Sequence, residues 1–127
     1  MDQFTITIHP TGDVFRSDWP DAGQLLQHLY QQMNCSLVAP VSLGEHLTLW
    51  CDEEAFMDEP NALATKLCGL FGPLNSYLAG IVVLTGPGDS QGRTQPLNGE
   101  AAEHLRRVLS RLQHRPWPAI GSTLEGI

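Results

Sequence analysis

A run of four apolar residues at positions 81–84 (IVVL) restricts the folds open to this chain more than any other feature. Three of the four are β-branched, which favours a strand, and none is polar, so neither face of that strand can lie against water. Strands of this kind lie inside a sheet with other elements packed on both faces. The rest of the chain must therefore cover two faces of one sheet.

Two hairpins are predicted to supply the neighbouring strands. Residues 4–8 (FTITI) alternate polar and apolar side chains, and the Pro-Gly turn after them returns the chain through residues 14–16. The second hairpin pairs residues 37–41 with residues 47–51. Pro40 predicts an edge position for the first strand of this pair, because proline has no backbone N–H to donate.

Apolar residues at helical spacing predict three helices that cover the sheet. The first helix follows Asp18 and Asp21, and either residue can cap it. Asn61 and Asn98 are the expected N-caps of the second and third helices. The expected buried faces are Leu25, Leu26, Leu29 and Met33; Leu63, Leu67 and Leu70 or Phe71; and Leu105, Val108, Leu109 and Leu112.

The predicted order of elements is β-β-α-β-β-α-β-α, which indicates an α+β fold with a small mixed, mainly antiparallel sheet and helices packed on it. At 127 residues, the chain fits a single domain, expected over residues 1–115. Pro116 and Pro118 end the last helix, so residues 116–127 are expected to form a flexible tail. The longest apolar run is too short to span a bilayer, which favours a cytoplasmic protein without a membrane partner.

Charge is divided unevenly along the chain. Residues 1–91 carry 2 basic and 11 acidic side chains, residues 92–127 carry 5 and 3, and the formal net charge is −7. Nucleic-acid binding depends on clustered Lys and Arg, so direct binding of nucleic acid by the main body is not expected. A protein partner fits this charge better, and the opposite charges of the two parts are compatible with a homodimer.

The sequence CDEEAFMDEPNA at residues 51–62 places five carboxylates within eight positions. Asp58 and Glu59 lie just before the expected cap at Asn61, where the helix dipole stabilises a negative charge by about 0.3–1 kcal/mol. The alternative is a divalent-cation site, since such cations take carboxylate oxygens. The stretch lacks the glycine and the alternating acidic spacing of an EF-hand loop, so no metal ligand is assigned.

Three motifs, at residues 49–54 (LWCDEE), 60–65 (PNALAT) and 80–86 (GIVVLTG), together resemble a known pattern. It is that of a small family from actinobacteria, their phages and other mobile elements, named domain of unknown function thirty-eight forty-six. The resemblance covers about residues 20–86 and departs from the family at Cys51, where Val is usual, and at Ala55, where Gly is frequent. It implies a mobile-element context and a role in host takeover or counter-defence, and it brings no catalytic residues.

No catalytic constellation is evident. The three cysteines and five histidines lack the spacing of zinc ligands, and the carboxylates after Cys51 oppose the electropositive setting that a nucleophilic thiol needs. No serine lies in a G-x-S-x-G context. Residues 86–93 (GPGDSQGR) contain a G-x-G but no helix follows at once, so a flexible loop is expected rather than a phosphate site.

The sequence hypothesis is a phage or mobile-element accessory protein that binds a host macromolecule, most simply a protein, without catalytic residues or a cofactor. Two alternatives stay open: a metal-dependent hydrolase that uses the acidic stretch, and a protein that binds a small nucleotide through residues 86–92. The expected partner-binding residues are Asp52, Glu53, Glu54, Asp58 and Glu59, with Trp19 and Trp117 beside prolines as aromatic anchors.

Overall fold

The computed structural model describes residues 3–54, 58–73 and 76–116. Within them, one antiparallel sheet of six strands is combined with three helices, so the predicted α+β class is confirmed. The strands are β1 (Gln3–Ile8), β2 (Val14–Asp18), β3 (Val38–Ser42), β4 (Thr48–Asp52), β5 (Val82–Thr85) and β6 (Leu97–Asn98); the helices are α1 (Leu25–Met33), α2 (Ala62–Gly69) and α3 (Gly99–Leu112). The predicted tail falls, apart from Pro116, outside the described residues.

Strand β5 lies at the centre of the sheet, as its apolar run predicts. The order across the sheet is β2-β1-β5-β4-β3, which places Pro40 of β3 at the predicted edge. Each described pairing is antiparallel. The predicted order lacked β6, a strand of two residues that pairs with Gln3 and Phe4 at the start of β1. Such a short segment has no periodicity of its own, so only its partner defines it as a strand.

The helices divide between the two faces of the sheet. Helices α2 and α3 pack on the face that contains Leu49 and Val82. Helix α1 packs on the other face, where Leu29 and Met33 lie against Val83. Consecutive strand residues point to opposite faces, so Val82 and Val83 belong to different cores and both must be apolar. Among the described residues, no helix has the length and apolar character needed to cross a membrane.

Helix α1 begins differently from its prediction. Its N-cap is Gln24, which makes no side-chain cap, and the Gln24 N–H donates instead to the backbone carbonyl of Asp21 at 2.9 Å. Asp18 is the last residue of β2, so neither predicted aspartate caps the helix. Leu26 was predicted to be buried but is 50% exposed, because the buried stripe runs through Leu29 and Met33.

The sheet face beneath α1 carries buried threonines. Thr5, Thr7 and Thr85 are fully buried. The Thr85 hydroxyl accepts a hydrogen bond from Trp50 Nε1 at 2.9 Å, and Thr5 Oγ1 lies 3.1 Å from His28 Nε2. Burial lowers the pKa of His28, which favours its neutral ring. In the described part of the chain, the Thr7 hydroxyl has no hydrogen-bond partner, so this smaller core contains one unsatisfied polar group.

Asn61 joins three segments at the start of α2. Its side-chain oxygen accepts a hydrogen bond from the Ala64 N–H at 3.0 Å, so the predicted N-cap is confirmed. Its Nδ2 donates to the carbonyls of Ile8 at 3.0 Å and Gly80 at 2.8 Å, and the whole residue is buried. The Thr65 hydroxyl donates to the Asn61 carbonyl at 2.8 Å. The PNALAT motif therefore has a structural role, since it ties α2 to β1 and to the segment before β5.

Candidate functional site

The acidic stretch forms the connection between β4 and α2. Asp52 ends β4 and is half-buried, whereas Glu53, Glu54, Asp58 and Glu59 are exposed. The Asp52 carboxylate accepts a hydrogen bond from the Glu54 N–H at 2.9 Å, which turns the chain at the end of the strand. Residues 55–57 lie outside the described part of the chain. The predicted contact residues thus share one exposed connection, where their carboxylates are hydrated.

Within the described ranges, no three His, Cys, Asp or Glu side chains come together in a way that could hold a metal ion. The cysteines are unpaired. Burial raises the pKa of Cys68 to about 11. Burial, followed by the charges of Asp52 and Glu53, raises the pKa of Cys51. Both effects favour the neutral thiol, which is a poor nucleophile and a poor metal ligand.

The glycine-rich loop after β5 is folded back on itself, which differs from the flexible loop predicted. The Gly86 N–H donates to the Gln95 carbonyl, and the Asp89 N–H to the Arg93 carbonyl, both at 2.8 Å. The Asp89 carboxylate accepts from the N–H groups of Gln91 and Arg93, both at 2.9 Å. A Cβ at Gly86 would lie 2.9 Å from the Gln95 carbonyl oxygen, so glycine is needed for this close approach. These amides are already used within the loop, whereas a phosphate site requires free ones.

The two tryptophans predicted as anchors have different outcomes. Trp19 is half-buried and lines a polar cleft with Gln24 and Gln27 at the start of α1. Its backbone N–H donates to the Gln3 carbonyl at 2.9 Å, which holds it beside the first hairpin. Trp117 lies outside the described residues. Neither tryptophan is therefore brought next to the acidic stretch by a described contact.

A large apolar cavity lies between α2 and α3, and we call it the α2–α3 groove. Its volume is about 530 Å³. It lies over the main core, and its lining is mostly aliphatic. The lining comes from the β3–β4 turn (residues 43–47), from the end of α2 and the residues after it (Leu67, Leu70 and Phe71), from Leu97 of β6, and from Ala101, His104, Leu105 and Val108 of α3.

The course of α2 and α3 explains why the groove exists. The helices run antiparallel, because Lys66 of α2 lies beside Gln113 at one end, whereas Leu70 lies near Ala101 at the other. Helix α2 ends at Gly69, so the first half of α3 faces a turn instead of a helix. The groove therefore lies where the two helices no longer cover each other.

Phe71 forms one edge of the groove and is 47% exposed. Its ring lies against the β3–β4 turn, where a Cβ at Gly44 would be 3.3 Å from Phe71 Cε1. Gly44 also has a left-handed φ of +71°, so glycine suits both the turn and the ring beside it. The sequence predicted Leu70 or Phe71 in the core; the structure leaves Leu70 half-buried and Phe71 at the surface.

Sequence analysis missed this site because helical spacing assigned its apolar residues to the core. Leu105, Leu109 and Leu112 of α3 are indeed buried. Val108, predicted on the same face, is half-buried and lines the groove. The only signal in the sequence was a surplus of apolar residues near the end of a short helix, with Phe71 just beyond it.

The rim of the groove carries polar side chains, of which Glu45, His46 and His104 are exposed. Ala101, His104 and Val108 follow one another at spacings of three and four along α3, so they share one side of the helix. The groove is thus an apolar cavity with ionisable groups on its turn and helix edges.

Comparison with known proteins yields no match: no protein-family model, no curated protein and no solved structure matches this chain. The resemblance to domain of unknown function thirty-eight forty-six therefore stays a prediction.

Proposed function

We propose that this protein works by binding a partner protein, and that the α2–α3 groove receives an apolar segment of that partner. The observation that carries the proposal is the groove itself, a cavity of about 530 Å³ left open over the core. Each Å² of apolar surface that a partner removes from water contributes about 25 cal/mol. Contiguous exposed apolar surface on a protein commonly marks an interaction site.

Following the sequence hypothesis, the proposed partner is a host protein, and this protein acts as an accessory factor of a phage or mobile element. A groove between two helices and a turn suits a helix or strand that lays its apolar side chains into it. The exposed rim residues Glu45 and His104 would border such a segment. Phe71 is half exposed at the groove edge and would supply the aromatic contact that interfaces favour.

The two alternatives have less support. A metal-dependent hydrolase needs converging ligands, and the carboxylates of the acidic stretch lie along one exposed connection. A nucleotide site needs free backbone amides, and the loop amides at Gly86 and Asp89 bond within the loop.

The acidic stretch remains a second proposed contact. It precedes α2, whereas the groove lies at the other end of this helix, and the eight residues of α2 span about 12 Å. The two surfaces are therefore distinct, and substitutions can separate their roles.

The proposal is tested by affinity capture with four forms of the tagged full chain. These are the native form, Phe71→Ser for the groove, Leu26→Ser as a control on the opposite face of the sheet, and the quadruple variant D52N/E53Q/D58N/E59Q. Phe71 and Leu26 are 47% and 50% exposed, so the two serine substitutions remove similar exposed surface. Thermal unfolding of each form verifies that it is folded.

We expect Phe71→Ser to lose a host protein that the native form and Leu26→Ser both retain. Retention by Phe71→Ser together with loss by the quadruple variant would move the contact to the acidic stretch and refute the groove. If no protein is captured by the native form, the proposal that the protein acts by binding a protein partner is overturned.

A further inference from the structure

We infer that the partner segment carries opposite charges at its two ends, with a carboxylate against Arg111 and a basic residue against Glu100. This inference rests on the proposed function, since it describes the occupant of the same groove. It follows from the order of charges along the exposed edge of α3.

The first step is the position of Arg111. Ala101, His104 and Val108 line the groove. Arg111 follows Val108 by three residues and His104 by seven, so it continues the same side of α3 beyond the apolar lining. Arg111 is exposed. A segment that fills the groove and follows α3 towards its C-terminus would reach this guanidinium.

The second step is the availability of that charge. Arg106 and Arg107 lie 2.7 Å and 3.6 Å from the Glu103 carboxylate, which partly neutralises them. None of the ion pairs between described residues includes Arg111. Arg106 and Glu103 also line a different cavity beside Val14, on the other side of α3. Arg111 is therefore the arginine of α3 that is placed to pair with an occupant of the groove.

The third step is the opposite charge at the other end. Glu100 precedes His104 by four residues, so it shares the groove side of α3, and it is exposed. Glu45 adds a second carboxylate to the lining, from the β3–β4 turn. Glu100 and Arg111 are about 16 Å apart at 1.5 Å per residue. A uniformly charged segment would be repelled at one end, whereas a segment with opposite charges at its ends fits both.

These local charges act in spite of the net charge of −7. The Debye length at physiological ionic strength is about 8 Å, so charges farther away are largely screened. The acidic stretch is separated from the groove by the length of α2, about 12 Å. The charges at the rim itself therefore govern which segment binds.

A fatty carboxylate is the competing occupant, because an apolar chain with one anionic end also suits an apolar cavity. The volume of about 530 Å³ is within the range of small-ligand sites. Arg111, however, lies beyond the lining of the groove. Both charged ends can be used only by an occupant longer than the groove, which favours a protein segment.

The test uses four fluorescein-labelled peptides with one shared apolar sequence and measures binding to the full-length protein by fluorescence anisotropy. The peptides are uncharged, acidic at both ends, basic at both ends, or basic at one end and acidic at the other. The protein variants are Arg111→Glu and, as a matched control, Arg106→Glu on the other side of the same helix. A twelve-carbon fatty acid serves as a competitor.

We expect the peptide of mixed charge to bind about fivefold to tenfold more tightly than the acidic or the basic one, as two exposed ion pairs allow. Arg111→Glu should weaken the mixed peptide by about tenfold and favour the basic one. Arg106→Glu should change affinities by less than about twofold, since its side chain is on the other side of α3.

The outcomes separate the two proposals. Equal affinity of all four peptides would overturn the charge inference and leave the groove as a protein-binding site. If no peptide binds while the fatty acid does, both proposals are overturned and the groove is a small-molecule site. If neither the peptides nor the fatty acid bind, both proposals are again overturned.

Discussion

Replacement of Asn61 by Ala should destabilise the protein far more than replacement of Asn98 by Ala, although both residues are helix N-caps. Asn98 is exposed, and its side chain accepts one hydrogen bond, from the Ala101 N–H at 2.8 Å. The loss of such a cap costs about 1 kcal/mol. Asn61 makes the equivalent bond to the Ala64 N–H and is fully buried.

The difference comes from the two additional bonds of Asn61. Its Nδ2 donates to the carbonyls of Ile8 and Gly80, at 3.0 Å and 2.8 Å. Each bond contributes about 1 kcal/mol, and its loss would leave a buried carbonyl without this donor. Asn61→Ala should therefore cost about 3 kcal/mol, against about 1 kcal/mol for Asn98→Ala. In a domain whose total stability is about 5–15 kcal/mol, that difference is large.

Urea unfolding of the two variants measures both values against the native protein. A change in midpoint at constant slope reports a change in stability. Asn61→Asp is a further variant, because it keeps the capping oxygen but replaces the donor with a charged acceptor facing two carbonyls. We expect it to be at least as destabilising as Asn61→Ala. Equal losses for Asn61→Ala and Asn98→Ala would refute the assignment of Asn61 as the residue that ties three segments together.

Two further predictions concern buried side chains. Thr7→Val should stabilise the protein by about 1 kcal/mol in the same unfolding assay, because it removes a buried hydroxyl that has no partner among the described residues. Thr5→Val, which removes a hydroxyl 3.1 Å from His28 Nε2, is the control and should not stabilise. Cys68 should react about a hundredfold more slowly with iodoacetamide at pH 8 in the folded protein than in urea, since its pKa is raised from 9.0 to about 11. Because the unfolded thiol ionises first, the contribution of Cys68 to stability should decline from about pH 9 to about pH 11, and Cys68→Ala should remove that decline; equal alkylation rates in the folded and unfolded protein would contradict the assigned burial.

The resemblance to the family of unknown function rests partly on residues whose role is now visible. Asn61 caps α2 and bonds to two other segments, and Thr65 bonds to the Asn61 carbonyl. Residues that hold a fold together in this way indicate architecture and not activity. The proposed function therefore rests on the groove and not on the motifs.

The elements that were predicted correctly are those that a few neighbouring residues define. The run at residues 81–84 needs cover on both faces because each of its side chains is apolar, and β5 has that cover. Asn61 and Asn98 cap helices because their side-chain oxygens reach an N–H three residues ahead. Pro40 lies at the sheet edge because it lacks an N–H.

The features that were missed depend on residues far apart in the sequence. Strand β6 exists because Leu97 pairs with Phe4, and neither segment records the other. The loop after β5 is folded because Gly86 and Gln95 bond across it. Aspartate capping of α1 was wrong because β2 continues to Asp18, which pairs with Phe4.

By itself, the sequence determined the α+β class, the central strand and two of the three helix caps, because periodicity and capping act over a few residues. Only the tertiary structure decided that α2 stops short of covering α3, and that Phe71 remains at the surface beside Gly44. Helical spacing shows which side of a helix is apolar, but it does not show whether another element covers that side. The candidate site arose from this missing cover, so the sequence pattern that predicted the core could not distinguish it from the groove.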